Sequence, residues 1–130
     1  MRTLQPAGWP RPKGYANAIE AKGRLVFTAG LVGWNSEEKF EAKDLPGQFE
    51  VILTNLVALL AEAGAGPEHI VRMTWYVTDK QAYLGETARI GEIYRRILGK
   101  IFPTMAVVQV VALVEDEALI EIEATAVVPD

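Results

Sequence analysis

Two glutamates in the last apolar segment are the first residues whose types and spacing suggest chemistry. Side chains alternate between the two faces of a β-strand, so a strand over residues 118–128 would place Glu121 and Glu123 on one face. The other face would carry Ile120, Ile122, Ala124 and Ala126, all of which are apolar. Glutamates that meet water need no explanation, whereas a carboxylate that is partly removed from water can exchange a proton near neutral pH. The environment of the glutamate face therefore decides which role applies.

The segment before it indicates what covers that face. Met105–Val114 is apolar at nearly every position, so a strand formed there would have two apolar faces. A strand in a sheet with one solvated face should instead alternate polar and apolar residues. The chain has only two amphipathic helices, which can cover one face of the sheet and leave the second face without a cover. The simplest explanation is that the second face is buried against other copies of the same chain. Glu121 and Glu123 would then lie near or inside a subunit interface.

Composition excludes several classes of site and partner. The 130 residues include no cysteine and one histidine, His69, which rules out thiolate chemistry and a two-histidine metal site within one chain. The net charge is −4 without a basic block, so we expect no nucleic-acid partner. No membrane span and no secretory h-region are evident. We therefore expect a soluble, cytoplasmic protein without a metal or organic cofactor.

The apolar periodicity predicts a single α+β domain over residues 1–130 with the element order βββαβαββ. Residues 1–14 contain three prolines and predict an extended N-terminal arm. The two helices are predicted over Pro46–Ala63 and Tyr83–Leu98. The strands are predicted at Tyr15–Ala21, Arg24–Gly30, Ile70–Asp79, Met105–Val114 and Leu119–Val128, with an irregular strand in between from Leu31.

Several collinear segments between Gly14 and Pro129 resemble the RidA/YjgF (L-PSP) family of reactive-imine deaminases. They read GYANAI, RLVFTAGLVGW, NLVALLAEAGAGPEHIVRMTWYVTD, FPTMAVVQVVAL and ALIEIEATAVVP. The resemblance implies a chorismate-mutase-like fold, a six-stranded mixed sheet with two helices on one face. It also implies a homotrimer, in which three sheets form a central barrel with small-molecule clefts between subunits.

The same resemblance implies an activity and the residues that carry it. Active members hydrolyse enamines and imines, such as 2-aminoacrylate, to a keto acid and ammonia. Tyr15 matches the tyrosine of the family's cleft, and Gly30 matches the glycine whose backbone faces the ligand. Glu121 matches the glutamate that positions the attacking water, which makes it the predicted catalytic residue, whereas Glu123 is predicted to be structural.

The chain departs from the family pattern at the ligand carboxylate. Met105 stands where imine-hydrolysing members have an arginine, and it cannot form the bidentate pair that a guanidinium makes. Gly91 also replaces an asparagine and Ala29 a serine. We predict that Met105 lines a more apolar cleft, and that Trp34 could wall the same cleft and stack on a flat, conjugated ligand; core packing explains Trp34 equally well.

Three functions are therefore compatible with the sequence. The first is a deaminase of a flat, conjugated enamine or imine, with 2-aminomuconate as the type of substrate that an arginine-lacking branch takes. The second is a non-catalytic trimer that binds a small ligand. The third is a ribonuclease, which the negative charge and the absence of a basic stripe argue against. Arg72 either supplies the missing charge or forms a salt bridge with Glu121 or Glu123.

Overall fold

The computed structural model describes all residues, 1–130, and contains one mixed five-stranded sheet. The central strand, Ile120–Val128, pairs with antiparallel neighbours on both sides, and the edge strand, Thr104–Gln109, runs parallel to Ile70–Val77. The strands are β3 (Arg24–Phe27), β4 (Leu31–Val32), β5 (Ile70–Val77), β6 (Thr104–Gln109) and β7 (Ile120–Val128), in the order β3-β7-β5-β6 with β4 also beside β7. A separate antiparallel pair joins β1 (Arg2–Leu4) and β2 (Ala18–Glu20).

The long helix α1 (Leu45–Glu62) forms the centre of the core. Its first turn is capped by the side chain of Asp44, which accepts a hydrogen bond from the backbone N–H of Gly47 at 2.9 Å. Gly64, in the left-handed region with φ 69°, follows its end. The helix is long and apolar enough to cross a membrane. Its fully buried residues, which include Phe49 and Ile52, pack in the core instead, and this packing accounts for the composition.

All three helices cover the same face of the sheet. The ring of Trp75 on β5 contacts Phe49 of α1, Tyr83 of α2 (Lys80–Gly85) and Tyr94 of α3 (Thr87–Leu98), with ring centroids 4.9, 6.3 and 6.2 Å apart. The apolar face of β7 lies in the same core. Its residues Ile120, Ile122, Ala124 and Ala126 are buried. None of the three helices covers the opposite face, called the uncovered face below, which carries Glu121 and Glu123; Val32 and Val127 on that face are nevertheless buried.

The α+β class is confirmed, but the sheet has five strands rather than the predicted six. The segment after Gly14 does not join the sheet as a full strand. Ala16 makes only a single parallel bridge to Thr104, and its N–H donates to the carbonyl of Pro103 at 3.1 Å. Residues 18–20 pair with β1 instead, so the N-terminal arm contains a short strand that its prolines did not predict.

Two other boundaries differ from the prediction for local reasons. The second helix is divided at Glu86, and the first piece begins early because Asp79 caps it by accepting from the N–H groups of Gln81 and Ala82 at 3.0 and 3.1 Å. The strand predicted over Met105–Val114 ends at Gln109. The side chain of Gln109 there accepts a hydrogen bond from the N–H of Lys80 at 2.7 Å, which anchors the strand end to α2.

Candidate functional site

Glu121 lies beside Gly30 on the uncovered face of the sheet. The antiparallel pairing of β4 with β7 places Val32 opposite Glu121 and so brings the turn at Gly30 against this side chain. A Cβ atom added at Gly30 would lie 2.8 Å from the carboxylate carbon of Glu121. Any larger residue at position 30 would therefore displace the carboxylate, and glycine leaves the room for it.

The two glutamates of this face differ in their partners. The hydroxyl of Tyr76 donates a hydrogen bond to Oε1 of Glu123 at 2.8 Å. This bond raises the pKa of the Tyr76 phenol, with smaller contributions from burial and from the negative charges of both glutamates. Glu121 has neither a hydrogen-bond partner nor an ion-pair partner in the chain, and Arg72 pairs with neither glutamate. The salt bridge predicted for Arg72 does not form within one chain, and Glu121 is free for another partner.

Tyr15 and Met105 lie together at a cavity of about 750 Å³ on the other side of β6. The register of β6 against β5 pairs Met105 with Met73, so Met105 points to the helix-covered side. Trp75 and Gly91 also line this cavity, and so do Tyr83, Tyr94 and Phe102. Burial raises the pKa of the Tyr83 and Tyr94 phenols, so both are neutral walls at physiological pH.

Tyr94 also fixes the rim of the cavity. Its hydroxyl donates to the carbonyl of Ile101 at 3.0 Å, which ties α3 to the loop that leads into β6. Tyr15 and Met105 additionally line a smaller cavity, of about 490 Å³, together with Arg72. Two cavities therefore border the edge strand β6, and Tyr15 and Met105 line both of them.

The predicted site residues thus form two groups rather than one. Glu121 and Gly30 share the uncovered face, whereas Tyr15 and Met105 share the cavity at the edge strand. Trp34 belongs to neither group, since its ring packs on Phe40 with centroids 5.7 Å apart and does not line the cavity of Met105. Within one chain, these two groups therefore do not form one site.

Sequence reasoning missed the charged residues of the large cavity. Lys13, Arg95 and Lys100 line it, and no aspartate or glutamate does. One signal could have identified Arg95: it follows the helix-interior Gly91 by four residues, so both lie on the same face of α3. No three His, Cys, Asp or Glu side chains come together in a cluster that could hold a metal ion.

The family assignment is settled by a match to a protein-family model. Residues 10–128 match the family described as "Endoribonuclease L-PSP". The chain belongs to the L-PSP family. This is the RidA/YjgF family that the sequence motifs resemble.

Individual L-PSP relatives agree with this assignment over nearly the whole chain. A RutC family protein of Pyrococcus abyssi is 34% identical over 119 residues, which cover 90% of this chain and 89% of the relative. TdcF of Escherichia coli K12, whose name assigns it provisionally to the reactive intermediate deaminases, is 33% identical over 108 residues, covering 81% and 80%. Deaminase names thus occur among the relatives of this chain.

Solved L-PSP structures share the fold. The Rid family protein YyfB of Yersinia pestis, described as of unknown function, superposes with a TM-score of 0.84 at 34% identity and covers 98% of each chain. TdcF of E. coli with bound serine superposes with a TM-score of 0.69 at 28% identity and also covers 98% of each chain. A small amino acid is therefore a ligand of one family member.

Proposed function

We propose that this chain is a cytoplasmic enamine or imine deaminase that works as a homotrimer, with its small-molecule sites between subunits. The observation that supports it most is the separation of the two residue groups. Glu121 and Gly30 share the uncovered face, whereas Met105 points to the helix-covered side and shares its cavity with Tyr15 at the sheet edge. A neighbouring copy that covers the uncovered face can bring its own second group to Glu121.

The uncovered face has the character of an interface. Phe27 and Leu25 are 70% and 60% exposed, and Val108 on the edge strand is 41% exposed. Phe27 and Val108 occupy positions on the same face as Glu121 and Glu123. Large apolar side chains grouped on one face of a small protein mark a surface that associates. Closing three such faces into a barrel would also remove the exposed sheet edge.

The proposed reaction is hydrolysis of a protonated imine. The substrate enamine first takes its imine tautomer. Water then adds to the imine carbon while the Glu121 carboxylate orients the water and accepts its proton. Glu121 then returns its proton to the nitrogen of the carbinolamine, and the C–N bond breaks. The hydroxyl becomes the carbonyl of the keto product and gives its proton to the departing ammonia, which leaves as ammonium. An iminium carbon is already strongly electrophilic, so Glu121 needs to supply only proton transfer and positioning.

The substrate that fits best is flat and conjugated. Met105 removes the guanidinium that would bind the carboxylate of a three-carbon substrate, so we expect weak or no turnover of 2-aminoacrylate. The cavity walls are aromatic, with Trp75, Tyr83 and Tyr94 packed around one another. Aromatic rings contribute by stacking on planar π-systems, which favours a 2-aminomuconate-like substrate.

A non-catalytic ligand-binding trimer is the alternative, and the methionine at position 105 is the observation that favours it. A deaminase releases ammonia from its substrate, whereas a protein that only binds a ligand releases none. A ribonuclease, which the family description names, differs from both in its substrate. Incubation of the purified protein with single-stranded RNA provides that comparison, and we expect no cleavage because the chain has a net charge of −4.

The proposal is tested by Glu121→Gln, which keeps the shape of the side chain but removes its basic oxygen. We expect release of ammonia from 2-aminomuconate to fall by about 10²–10⁴, the usual contribution of a positioned acid–base group. Sedimentation and the melting temperature should stay unchanged. Glu123→Gln is the matched control, because this carboxylate already accepts from Tyr76. A wild-type protein that releases no ammonia, or a Glu121→Gln variant of full activity, would contradict the proposal.

A further inference from the structure

The large cavity at β6 is lined by positively charged side chains and by no acidic side chain. Lys13, Arg95 and Lys100 line it without an acidic neighbour, although the chain as a whole has a net charge of −4. Cations grouped in a concave apolar wall attract and orient an anion. The occupant that this cavity favours is therefore negatively charged.

Arg95 differs from the other two arginines of α3. Arg89 lies near the carboxylates of Asp44 and Glu86, at 3.6 and 3.8 Å, and Arg96 pairs with Glu50 of α1. Arg95 has no carboxylate within 4.0 Å and makes no side-chain hydrogen bond in the chain. Its guanidinium is thus the one on this helix that both lines the cavity and lacks a partner. Five N–H donors in a planar fork remain available for a carboxylate.

Gly91 accounts for the position of that guanidinium. Glycine in a helix interior lowers stability relative to alanine, so its presence calls for a local reason. A Cβ atom added at Gly91 would lie 3.3 Å from Nη1 of Arg95, and it would lie within 4 Å of no other atom beyond its two chain neighbours and the helix backbone. Glycine therefore leaves the space over this turn of α3 in which the Arg95 side chain lies.

Trp75 supplies a second, independent sign of a missing acceptor. It lines the same cavity and is 3% exposed, and its Nε1–H is buried without a hydrogen-bond partner. A buried donor of this kind is normally satisfied. A ligand with a planar body and a negative charge would meet the aromatic walls and the Arg95 guanidinium in one cavity.

We propose that Arg95 is the anion-recognising residue of this protein, and that it binds the carboxylate of a planar conjugated ligand from α3. A residue of helix α3 would then bind the ligand carboxylate, which Met105 on strand β6 cannot do. The inference rests on the proposed function only in taking this cavity as the ligand site. It makes Arg95 a binding residue that selects acidic, extended ligands and leaves proton transfer to Glu121.

Binding of trans-cinnamate and of its neutral analogue cinnamamide, measured by titration calorimetry on the full-length protein, tests this role without any turnover. The two probes share a planar body and differ in charge. We expect the wild type to prefer cinnamate, and Arg95→Gln to weaken cinnamate binding about ten-fold or more while leaving cinnamamide unchanged. Arg95→Lys should retain part of the preference, since it keeps the charge but loses the fork.

Arg96→Gln is the matched control, because Arg96 is the next residue on α3 and pairs with Glu50. It should bind both probes as the wild type does. Arg95 is exposed on its helix, so Arg95→Gln should melt at the wild-type temperature; if it does not fold, the comparison of Arg95→Lys with wild type decides.

Three results would overturn the inference. These are equal wild-type binding of the two probes or binding of neither, an Arg95 variant that keeps the full preference, and a preference lost in Arg72→Gln instead. Cinnamate binding through Arg95 in a protein that releases no ammonia would contradict the proposed deaminase but not this inference.

Discussion

The two faces of the central sheet differ in how much of their surface is packed and partnered within one chain. On the helix-covered face, β5 and β7 carry buried apolar residues that pack on α1, and Phe49 lies against Trp75. On the uncovered face, the same strands carry Tyr76, Glu121 and Glu123 beside exposed apolar residues. The residues of the first face are buried within the single chain. The second combines apolar contact area with an unpartnered carboxylate, which is the composition of a surface shared between copies.

The substitution with the largest expected effect on stability lies on the helix-covered face. Phe49→Ala removes a fully buried ring that packs on Trp75 with centroids 4.9 Å apart. We expect the free energy of unfolding to fall by about 3–5 kcal/mol, because such a substitution leaves a cavity. Chemical denaturation measures this change. Leu59→Ala, on the same helix but 45% exposed, is the control and should cost clearly less. Equal losses in both variants would mean that the core is placed wrongly.

A smaller effect on the fold, but a large one on assembly, is expected at the uncovered face. Phe27→Glu changes a side chain that is 70% exposed in the single chain, so the fold of the protomer should lose only about 0.5 kcal/mol. In the trimer the new carboxylate would be buried without a partner, and we expect dissociation.

Analytical ultracentrifugation at micromolar concentration measures the change in assembly. Leu59→Glu places the same charge on the outer side of α1 and should leave the trimer intact. A Phe27→Glu protein that remains trimeric would show that the uncovered face meets solvent or another partner.

The covered face could be predicted from sequence because its signal is local. The alternation of Ile120, Ile122, Ala124 and Ala126 predicted a strand with one buried side, and the helix predicted over Pro46–Ala63 is observed as Leu45–Glu62. The apolar period and the capping residues are contained within each segment, so no tertiary information is needed.

The arrangement of the site could not be predicted in the same way. The approach of Gly30 to Glu121 depends on the register of β4 against β7, and the separation of Met105 from Glu121 depends on which face each strand turns to the helices. The sequence predicts a strand over Tyr15–Ala21, but only residues 18–20 of it form one, and they pair with β1 through contacts that no local pattern reveals. Trp34 shows the same limit, because its aromatic character fits both a cleft wall and the packing on Phe40 that is observed.

The central claim is that one site takes Glu121 from one copy and the cavity of Tyr15 and Met105 from another, and mixed trimers test it most directly. Glu121→Gln removes the carboxylate, and Gly91→Trp fills the cavity with an indole. Each variant alone should release almost no ammonia from 2-aminomuconate.

When the two variants are co-expressed with different affinity tags and purified as mixed trimers, some sites combine an intact Glu121 with an intact cavity. In either kind of mixed trimer, one of the three sites combines them, so the expected activity is about a third of the wild-type level. Recovery near that level is the predicted result. Mixed trimers as inactive as the two parents would contradict the shared site.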